Sequence, residues 1–347
     1  MIGIYKGKLR SKGMTATNSY RGHIFYFNLV GTDDEIHRIT VTKNVNDYII
    51  PPDNDKIKQD QFYVKLKEKQ VFYDSYFKKT GIPWLSSYGR PEPVLFMYNK
   101  QGLDEVGTIY NIKSNNGFWN CVPDDSLSVE SQISTCQDTK HQVSVNIEVI
   151  SRKPKMFVIE NIINNNEAEL VKSLAQPKLH RSGTGQSRDA NYNDETRTSK
   201  TAWIGYREHI IIDTIFKRTA DILQIDENIL KDNAEHMQSV FYETGQEYKA
   251  HHDFSDNGRD QASRYITILF YLSDQIDEYS GGETWFPKAR DGKGIKIHPG
   301  KGNAVLFYDL LQDGNGDDLT LHEAVKVKNG TKWICNFWVW DPIKPFR

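Results

Sequence analysis

The sequence predicts a mainly β protein with flanking helices, an α+β fold whose sheets are mostly antiparallel. Three observations support this: short runs of aromatic and β-branched residues, strict alternation in the second half of the chain, and two segments with helical signals. The chain has 347 residues, enough for one large domain or two ordinary ones, and its hydrophobic fraction of 38% is enough to build cores.

Residues 1–140 are predicted to form a smaller, β-rich domain of unknown role. Short runs rich in aromatic and β-branched residues, such as 23–30 and 37–43, are typical of strands. The stretch 116–142 is polar and rich in Ser and Asp, which is typical of a boundary between domains. The second domain is therefore placed at 141–347.

Two helices are predicted in the second domain. The segment 164–175 opens with Asn, carries an acid in its first turn and is stopped by Pro177. Isoleucines recur near the helical period over 206–224. The long polar segment 181–200 between the two helices is either a lid over a substrate or a disordered surface loop.

The remainder of this domain reads as successive strands, which predicts an antiparallel sheet. The strand-like runs are 143–150, 236–242, 263–273, 292–299, 302–309, 324–328 and 331–340.

A candidate metal site lies near residue 250, where His251 and Asp253 form the pattern His-x-Asp. Side chains alternate along a strand, so these two point to the same side of an extended chain. The pair alone is weak evidence, because ten histidines in this length give on the order of one such pair by chance. His322, from a distant strand, would complete two imidazoles and one carboxylate. That ligand set suits ferrous iron and leaves positions open for a keto acid and dioxygen.

Lys332 follows in an otherwise apolar strand. A lysine is costly to bury without an anion, so its position predicts a carboxylate partner, and the distal carboxylate of 2-oxoglutarate fits. Alternation places Asn336 and Trp338 on the same face as Lys332, toward the pocket, and Cys335 and Phe337 on the opposite face.

The dipeptide Asn329-Gly330 predicts a two-residue hairpin between the last two runs, because both residues tolerate positive φ. A regular hairpin of this kind would turn His322 to the face opposite Lys332. We therefore predict a β-bulge between 322 and 328.

Further hydroxyl groups are candidates for the same pocket. In the run RYITILFYL, Thr267 and Tyr271 share a face that could reach it. Thr267 and Tyr242 could donate to the co-substrate, although both could equally be satisfied elsewhere in their strands. His252 alternates to the opposite face and is not expected to bind the metal.

Taken together, these segments resemble the prolyl 4-hydroxylase family of Fe(II)/2-oxoglutarate dioxygenases over roughly 143–345. Seven matching segments stand in order: KPKMFVIENII, RTSKTAWI, YETGQEYKAHHDF, RYITILFYLSD, YSGGETWFP, HPGKGNAVLFYD and DGNGDDLTLHEAVKVKNGTKWICNFW. Their collinearity makes the resemblance far more specific than any single segment.

The resemblance implies a double-stranded β-helix, or jelly-roll, catalytic domain flanked by helices. It implies that the iron ligands are His251, Asp253 and His322. It further implies pocket residues: Tyr242, Thr267 and Lys332 as contacts of 2-oxoglutarate, Trp338 as a pocket wall, and Tyr248 near the metal.

The implied activity is hydroxylation of peptidyl proline at C4, which consumes O2 and converts 2-oxoglutarate to succinate and CO2, with ascorbate to rescue oxidised iron. Lysine at 332 favours proline, because lysyl hydroxylases and many relatives have arginine there. Many family members follow the tryptophan with x-His, whereas Val339 and Trp340 follow Trp338 here, which leaves the peptide preference open. The alternatives are a dioxygenase of the same machinery acting on another side chain or a small molecule, and a non-catalytic peptide-binding module.

Composition narrows the partners. The net charge of -2 gives no global field to concentrate nucleic acid, and no run reaches the roughly 18 to 20 apolar residues of a membrane span. Cys121, Cys136 and Cys335 are too few and too far apart for a disulfide framework or a thiolate zinc site. Cys121 and Cys136 are either reduced or, in an oxidising compartment, bridged. The compartment is left open between the cytoplasm and, if a signal peptide has been removed, the endoplasmic reticulum lumen.

Overall fold

The computed structural model describes residues 22–28, 30–31, 34–42, 48–50, 61–85, 105–120, 137–138, 142–183, 196–254 and 263–341. The chain divides into two compact units, 1–85 and 86–347.

The first unit combines a strand pair with a long helix. Strand β1 (Ile24–Asn28) pairs antiparallel with β2 (Glu35–Thr40), as the strand-like runs predicted. Helix α1 (Gln61–Thr80) was not predicted, because its aromatic residues suggested strands. Those aromatics sit at helical spacing instead: Phe72 and Tyr76 both pack edge-on against the buried Trp84, at centroid distances of 4.9 and 5.0 Å.

The division between the units lies earlier than the predicted boundary at 140/141. Strand β3 (Ile109–Ser114) pairs along its whole length with β6 (Val143–Arg152) and so extends the main sheet of the second unit. The loop after β3 is fixed as well, because the buried Arg218 donates to the carbonyls of Asn116 and Gly117 at 2.9 and 2.6 Å. The polar composition that suggested a boundary therefore belongs to a connection inside the second unit.

The second unit contains two facing antiparallel sheets. Besides β3 and β6, the described strands of this unit are β4 (Trp119–Asn120), β5 (Gln137–Asp138), β7 (Lys155–Glu160), β8 (His180–Arg181), β9 (Lys200–Ile204), β10 (Met237–Tyr242), β11 (Tyr248–His251), β12 (Arg264–Tyr271), β13 (Thr284–Phe286), β14 (Ile295–Ile297), β15 (Ala304–Tyr308), β16 (His322–Ala324) and β17 (Lys332–Trp340). The larger sheet has nine strands in the order β3-β6-β7-β15-β12-β17-β10-β9-β8, and the smaller has four in the order β11-β16-β13-β14. A further short pair joins β4 to β5.

Apolar side chains from both sheets fill the space between them. Leu269 and Phe307 of the large sheet join Phe286 and Ile295 of the small sheet in one buried cluster. A core enclosed by two sheets of alternating strands is the arrangement of a jelly roll, which confirms the predicted fold class of the catalytic part.

The described part of this unit contains three α-helices: α2 (Asn165–Ala175), α3 (Ile210–Leu223) and α4 (Glu227–Asn233). Both predicted helices are confirmed within a few residues. Asn164 and Glu167 form a reciprocal capping box at the start of α2, which explains why this helix begins where the sequence indicates. Phe216 of α3 packs edge-on against Phe337 of β17 at 4.6 Å, on the face of β17 that alternation placed opposite Lys332.

The predicted Asn329-Gly330 hairpin is wrong. Strand β16 belongs to the small sheet and β17 to the large one, so the chain crosses between sheets where the hairpin was expected. The amide of Asn329 donates instead to the carbonyl of Ser280 at 3.2 Å. A jelly roll sends consecutive strands to opposite sheets, and a local turn signal cannot reveal that.

The predicted bulge between 322 and 328 is also misplaced. In the pairing of β11 with β16, Tyr248 lies opposite Ala324 and His251 opposite His322. The irregularity therefore falls in β11, between Tyr248 and His251. It still adjoins the proposed metal ligands, as bulges near active sites commonly do.

Among the described helices, none is both long and apolar enough to cross a bilayer.

Candidate active site

The three predicted metal ligands converge at one end of the jelly roll. His251 ends β11 and His322 begins β16, and the two are cross-strand partners. Asp253 follows two residues after His251; its carboxylate oxygens lie 3.6 Å from Nε2 of His251 and 3.8 Å from Nε2 of His322. One ligand atom from each residue falls within 4.8 Å of the others, which is the spacing of groups that share one metal ion.

Both imidazoles are oriented for metal binding by a backbone carbonyl. Nδ1 of His251 lies 2.9 Å from the carbonyl oxygen of Lys249, and Nδ1 of His322 lies 3.0 Å from that of Thr320. A carbonyl only accepts hydrogen bonds, so each Nδ1 carries the proton. Each Nε2 is then left with a lone pair directed at the common centre.

The Asp253 carboxylate is held by two side-chain donors on one of its oxygens. Oδ2 accepts from the hydroxyl of Thr267 at 2.9 Å and from the indole N–H of Trp338 at 2.9 Å. Its other oxygen, Oδ1, is the one nearer to His251. Thr267 and Trp338 thus both contact a predicted metal ligand. The resemblance implied that Thr267 contacts 2-oxoglutarate and that Trp338 is a pocket wall, and both roles remain predictions.

The charge states of the three groups suit a cation. Burial, together with the neighbouring His322, lowers the pKa of His251 to about 3, so its imidazole is neutral and able to donate an electron pair. Burial alone would raise the pKa of Asp253, but the adjacent imidazoles and the hydrogen bond from Trp338 hold it well below its usual range. The site therefore presents two neutral nitrogens and one carboxylate.

Lys332 lies farther along the same core. It begins β17 opposite Tyr242, is only 3% exposed, and among the described residues its Nζ has no hydrogen-bond partner. The rings of Tyr242 and Tyr271 flank the ammonium at 5.5 and 5.8 Å. Burial lowers the pKa of Lys332 to about 7, which is the electrostatic sign of a cation that lacks an anion.

The backbone next to Lys332 leaves room for its side chain. Gly282 has a φ of +82°, and a Cβ there would lie 3.4 Å from Cδ of Lys332 and 3.5 Å from Cγ2 of Val327. Any other residue at 282 would be strained in its backbone because of this positive φ, and its Cβ would already be in van der Waals contact with the lysine stem. The cleft at this position is also lined by His298, whose pKa is lowered to about 4 by burial and then by Lys332.

Two further residues near Lys332 were not included among the predicted site residues. The hydroxyl of Tyr271 lies 2.6 Å from Oγ1 of Thr284, across the two sheets. Alternation along β12 did place Tyr271 on the pocket face, so the signal was available. His298 stands next to Pro299 in a short run, and nothing in its local pattern points to Lys332.

Tyr248 stacks directly on a metal ligand. The centroid of its ring lies 3.7 Å from that of His251, with an angle of 21° between the ring planes. The guanidinium carbon of Arg197 lies 4.6 Å from the centroid of the same Tyr248 ring. The predicted location of Tyr248 near the metal therefore agrees with the structure, while its catalytic role stays a prediction. His252 instead pairs with Asp318 at 3.3 Å, consistent with the expectation that it is not a ligand.

Some sequence predictions lie outside the described residues. These include most of the candidate lid, 184–195, and both Cys121 and Cys136. Cys335 is buried and free, and burial raises the pKa of its thiol, so it is an inert core residue.

The donor set fits ferrous iron, and the buried ammonium fits a dicarboxylate co-substrate. Two imidazole nitrogens and one carboxylate are a ligand set typical of non-haem ferrous iron, and they leave coordination positions open. His251, Asp253 and His322 would hold the metal, and Lys332 would hold the distal carboxylate of 2-oxoglutarate.

Residues 237–340 match the family model of the 2OG-Fe(II) oxygenase superfamily. The chain is 34% identical over 211 residues to prolyl 4-hydroxylase 1 of Arabidopsis thaliana, an alignment that covers 56% of this chain and 72% of that protein. It is also 34% identical over 207 residues to the prolyl 4-hydroxylase subunit alpha-1 of Bos taurus, covering 56% of this chain and 36% of the subunit. Among solved structures, a viral collagen prolyl hydroxylase from Paramecium Bursaria Chlorella virus-1 aligns with a TM-score of 0.43 and 27% identity, covering 53% of this chain and 95% of that one.

The matched region thus defines the class of the catalytic part as a 2-oxoglutarate- and iron(II)-dependent oxygenase. Within that class, the chain belongs to the prolyl 4-hydroxylase family. The alignment spans 72% of the plant relative but only 36% of the Bos taurus alpha-1 subunit.

Proposed function

We propose that this protein hydroxylates C4 of proline residues in peptides or proteins, using O2 and 2-oxoglutarate and releasing succinate and CO2. One observation carries the proposal: a buried core contains the His251, Asp253 and His322 cluster and also the amine of Lys332, whose Nζ has no hydrogen-bond partner among the described residues. The family relationship supplies the substrate class, since the relatives are named as prolyl 4-hydroxylases.

Bound iron and 2-oxoglutarate would together supply the oxidising chemistry, in which one oxygen atom of O2 enters the proline hydroxyl and the other enters succinate. The protein's part is to bind and orient. Lys332 binds the distal carboxylate of 2-oxoglutarate, which then accepts hydrogen bonds from its buried ammonium group. Burial raises the pKa of Tyr242 to about 12, which keeps its hydroxyl protonated and able to donate to the co-substrate. The apolar walls of the core limit the access of water.

The proline side chain would approach from the metal end, beside Tyr248, whose ring stacks on that of His251. Trp340 occupies the position at which many relatives have histidine, and its indole N–H donates to Glu235 at 2.7 Å. Because that group is engaged with Glu235, we expect the peptide preference of this protein to differ from that of relatives with histidine there.

Three finer points belong to the same proposal. Ascorbate would restore iron oxidised in turnovers that fail to hydroxylate a substrate. The partner is a proline-containing peptide or protein. The compartment is the cytoplasm or, for a protein delivered with a signal peptide, the endoplasmic reticulum lumen.

The decisive experiment uses the full chain with Fe(II), 2-oxoglutarate, ascorbate and proline-rich or collagen-like peptides. Intact-mass analysis should show the gain of one oxygen atom per modified peptide, and amino-acid analysis should identify 4-hydroxyproline. Matched peptides with alanine in place of proline should stay unmodified, and the His251→Ala variant should give no product.

Two other outcomes would redirect the assignment. Oxidation of a residue other than proline, or of a small molecule, would indicate the same machinery with another substrate. Peptide binding without any turnover of 2-oxoglutarate would indicate a binding module, and it would contradict the proposal.

A further inference from the structure

A buried acid outside the metal triad is linked to it through one bridging hydroxyl group. Asp309 follows β15 and is completely buried, and its Oδ2 lies 2.8 Å from the hydroxyl of Thr267. The same hydroxyl lies 2.9 Å from Oδ2 of Asp253. Thr267 therefore bridges the carboxyl group of Asp309 and the carboxylate of a proposed metal ligand.

A count of hydrogen atoms assigns the donors in this bridge. A threonine hydroxyl carries one hydrogen, so it cannot donate to two ionised carboxylates at once. Asp253 must be the ionised partner, because it faces two imidazoles, accepts the indole N–H of Trp338 and would ligate the metal. Asp309 is then the protonated partner, which donates to the oxygen of Thr267 while Thr267 donates to Asp253.

The surroundings of Asp309 agree with a neutral carboxyl group. Among the residues that the structure describes, its second oxygen, Oδ1, has no hydrogen-bond partner, an arrangement too costly for an ionised carboxylate in a core. Burial and the proximity of Asp253 also raise the pKa of Asp309 well above its ordinary value.

The backbone holds Asp309 in a fixed position. Its amide donates to the carbonyl of Tyr265 at 2.8 Å, and its carbonyl accepts from the amide of Asp317 at 2.9 Å. Thr267 is fixed too, since it lies within β12 between Phe307 of β15 and Trp338 of β17. Because Asp309 and Thr267 are both held in place, the hydrogen bond from Thr267 can fix the orientation of the Asp253 carboxylate.

We propose that Asp309 is a positioning residue, which acts as a neutral hydrogen-bond donor and orients the metal-binding carboxylate of Asp253 through Thr267. This inference rests on the metal site of the proposed function. The requirement is for a donor at position 309 and not for an acid, so asparagine should substitute for aspartate there and an apolar residue of similar size should not.

The test measures metal binding by the full-length, metal-free protein, with Co(II) as the probe and its visible absorption as the signal. We expect Asp309→Asn to keep the Co(II) dissociation constant within about threefold of wild type, and Asp309→Leu to raise it by about 10- to 100-fold, the usual effect of losing an outer hydrogen-bond partner of a ligand. Thermal unfolding of each metal-free variant provides the folding check. Thr219→Val is the matched control, because the hydroxyl of this buried threonine donates to the carbonyl of Ile215 in its own helix.

A double-mutant cycle separates the bridge from a general packing effect. In a Thr267→Val background the route to Asp253 is already broken, so adding Asp309→Leu or Asp309→Asn should change Co(II) affinity little. This arm also serves if Asp309→Leu alone fails to fold. Equal weakening by Asn and Leu at 309, wild-type affinity in Asp309→Leu, or additive losses in the double variants would each overturn the inference. Failure of the wild-type protein to bind Co(II) at all would instead overturn the proposed metal site, and this inference with it.

Discussion

The two ends of the catalytic core differ in how completely the protein satisfies its own polar groups. At the metal end, both imidazoles donate to a carbonyl and the carboxylate of Asp253 accepts from two side chains. At the co-substrate end, Lys332 is buried and its Nζ has no hydrogen-bond partner among the described residues. The protein therefore builds the metal site in advance, whereas the other end is completed only by the co-substrate.

This difference implies two kinds of response to mutation. Groups at the metal end are supported by neighbours, so changing them should alter metal binding in a graded way, except for the ligands themselves. Lys332 is an uncompensated cost to the free protein, so removing it should weaken co-substrate binding and strengthen the fold at the same time.

The largest expected effect is the loss of a metal ligand. His251→Ala removes one of three ligands, so metal affinity should fall by more than the roughly 100-fold that loss of an outer partner can cause, and turnover should be undetectable. The metal-free fold should change little, with the melting temperature within about 4 °C of wild type. His252→Ala is the matched control. The imidazole of His252 pairs with Asp318 and not with the metal site, so this variant should still bind Co(II). Retained turnover in His251→Ala would remove the metal assignment.

The next effect concerns Lys332→Met, which keeps the stem and removes the charge. Loss of one partner of a buried charge pair costs about 2–5 kcal/mol, so the KM for 2-oxoglutarate should rise by roughly 30- to several-thousand-fold. The ligand-free variant should be more stable than wild type by about 1–3 kcal/mol in urea unfolding, because an unpaired buried amine is gone. Lys328→Met, a nearby exposed lysine, should change neither quantity. A Lys332→Met variant that is less stable and binds 2-oxoglutarate normally would contradict the contrast between the ends.

A pH dependence should follow from the same ammonium. Its pKa is lowered to about 7 in the folded protein and returns toward 10.5 on unfolding, so between these values the unfolded chain binds more protons. Stability of the ligand-free protein should therefore rise with pH across this window, by up to about 1.4 kcal/mol per pH unit from this group. The 2-oxoglutarate carboxylate needs the ammonium, so its affinity should fall by up to about tenfold per pH unit above 7, with proton uptake on binding.

Calorimetry in two buffers of different ionisation enthalpy measures that proton uptake directly. Other groups titrate in the same range, so the informative quantity is the difference between wild type and Lys332→Met. Identical pH profiles for the two proteins would show that Lys332 is not the responsible group.

The sequence contained enough information to predict the chemistry of both ends. His-x-Asp alone is weak evidence, but a distant histidine, a lysine in an apolar strand and the collinear family resemblance together pointed to a metal site and a carboxylate-binding site. Alternation along β12 and β17 put Thr267, Trp338 and Lys332 on the pocket side, because side-chain direction in a strand depends on position along it. In the structure Thr267 and Trp338 contact Asp253, and Lys332 is buried.

What could not be predicted depends on partners that are far apart in the sequence. The Asn329-Gly330 signal is local, whereas the choice of sheet for β16 and β17 is set by the global topology. The bridge from Asp309 to Asp253 joins residues separated by more than fifty positions, and no local sequence pattern near either residue predicts their contact through Thr267. Helix α1 was missed because its aromatic residues were read as strand formers, although their spacing is helical.

The smallest effect should come from the support of Asp253 at the metal end. Trp338→Phe removes the indole N–H that donates to Oδ2 while keeping an aromatic ring beneath the guanidinium of Arg264, now 3.7 Å from the Trp338 ring. The hydroxyl of Thr267 still donates to the same oxygen, so the loss of Co(II) affinity should stay near tenfold, the lower end of the range for outer partners.

Trp340→Phe is the control. It removes an indole N–H that donates to Glu235, and it should leave Co(II) affinity within about twofold, because this hydrogen bond does not touch the metal site. If Trp338→Phe were as damaging as His251→Ala, the metal end would depend on single contacts, and its contrast with the Lys332 end would disappear.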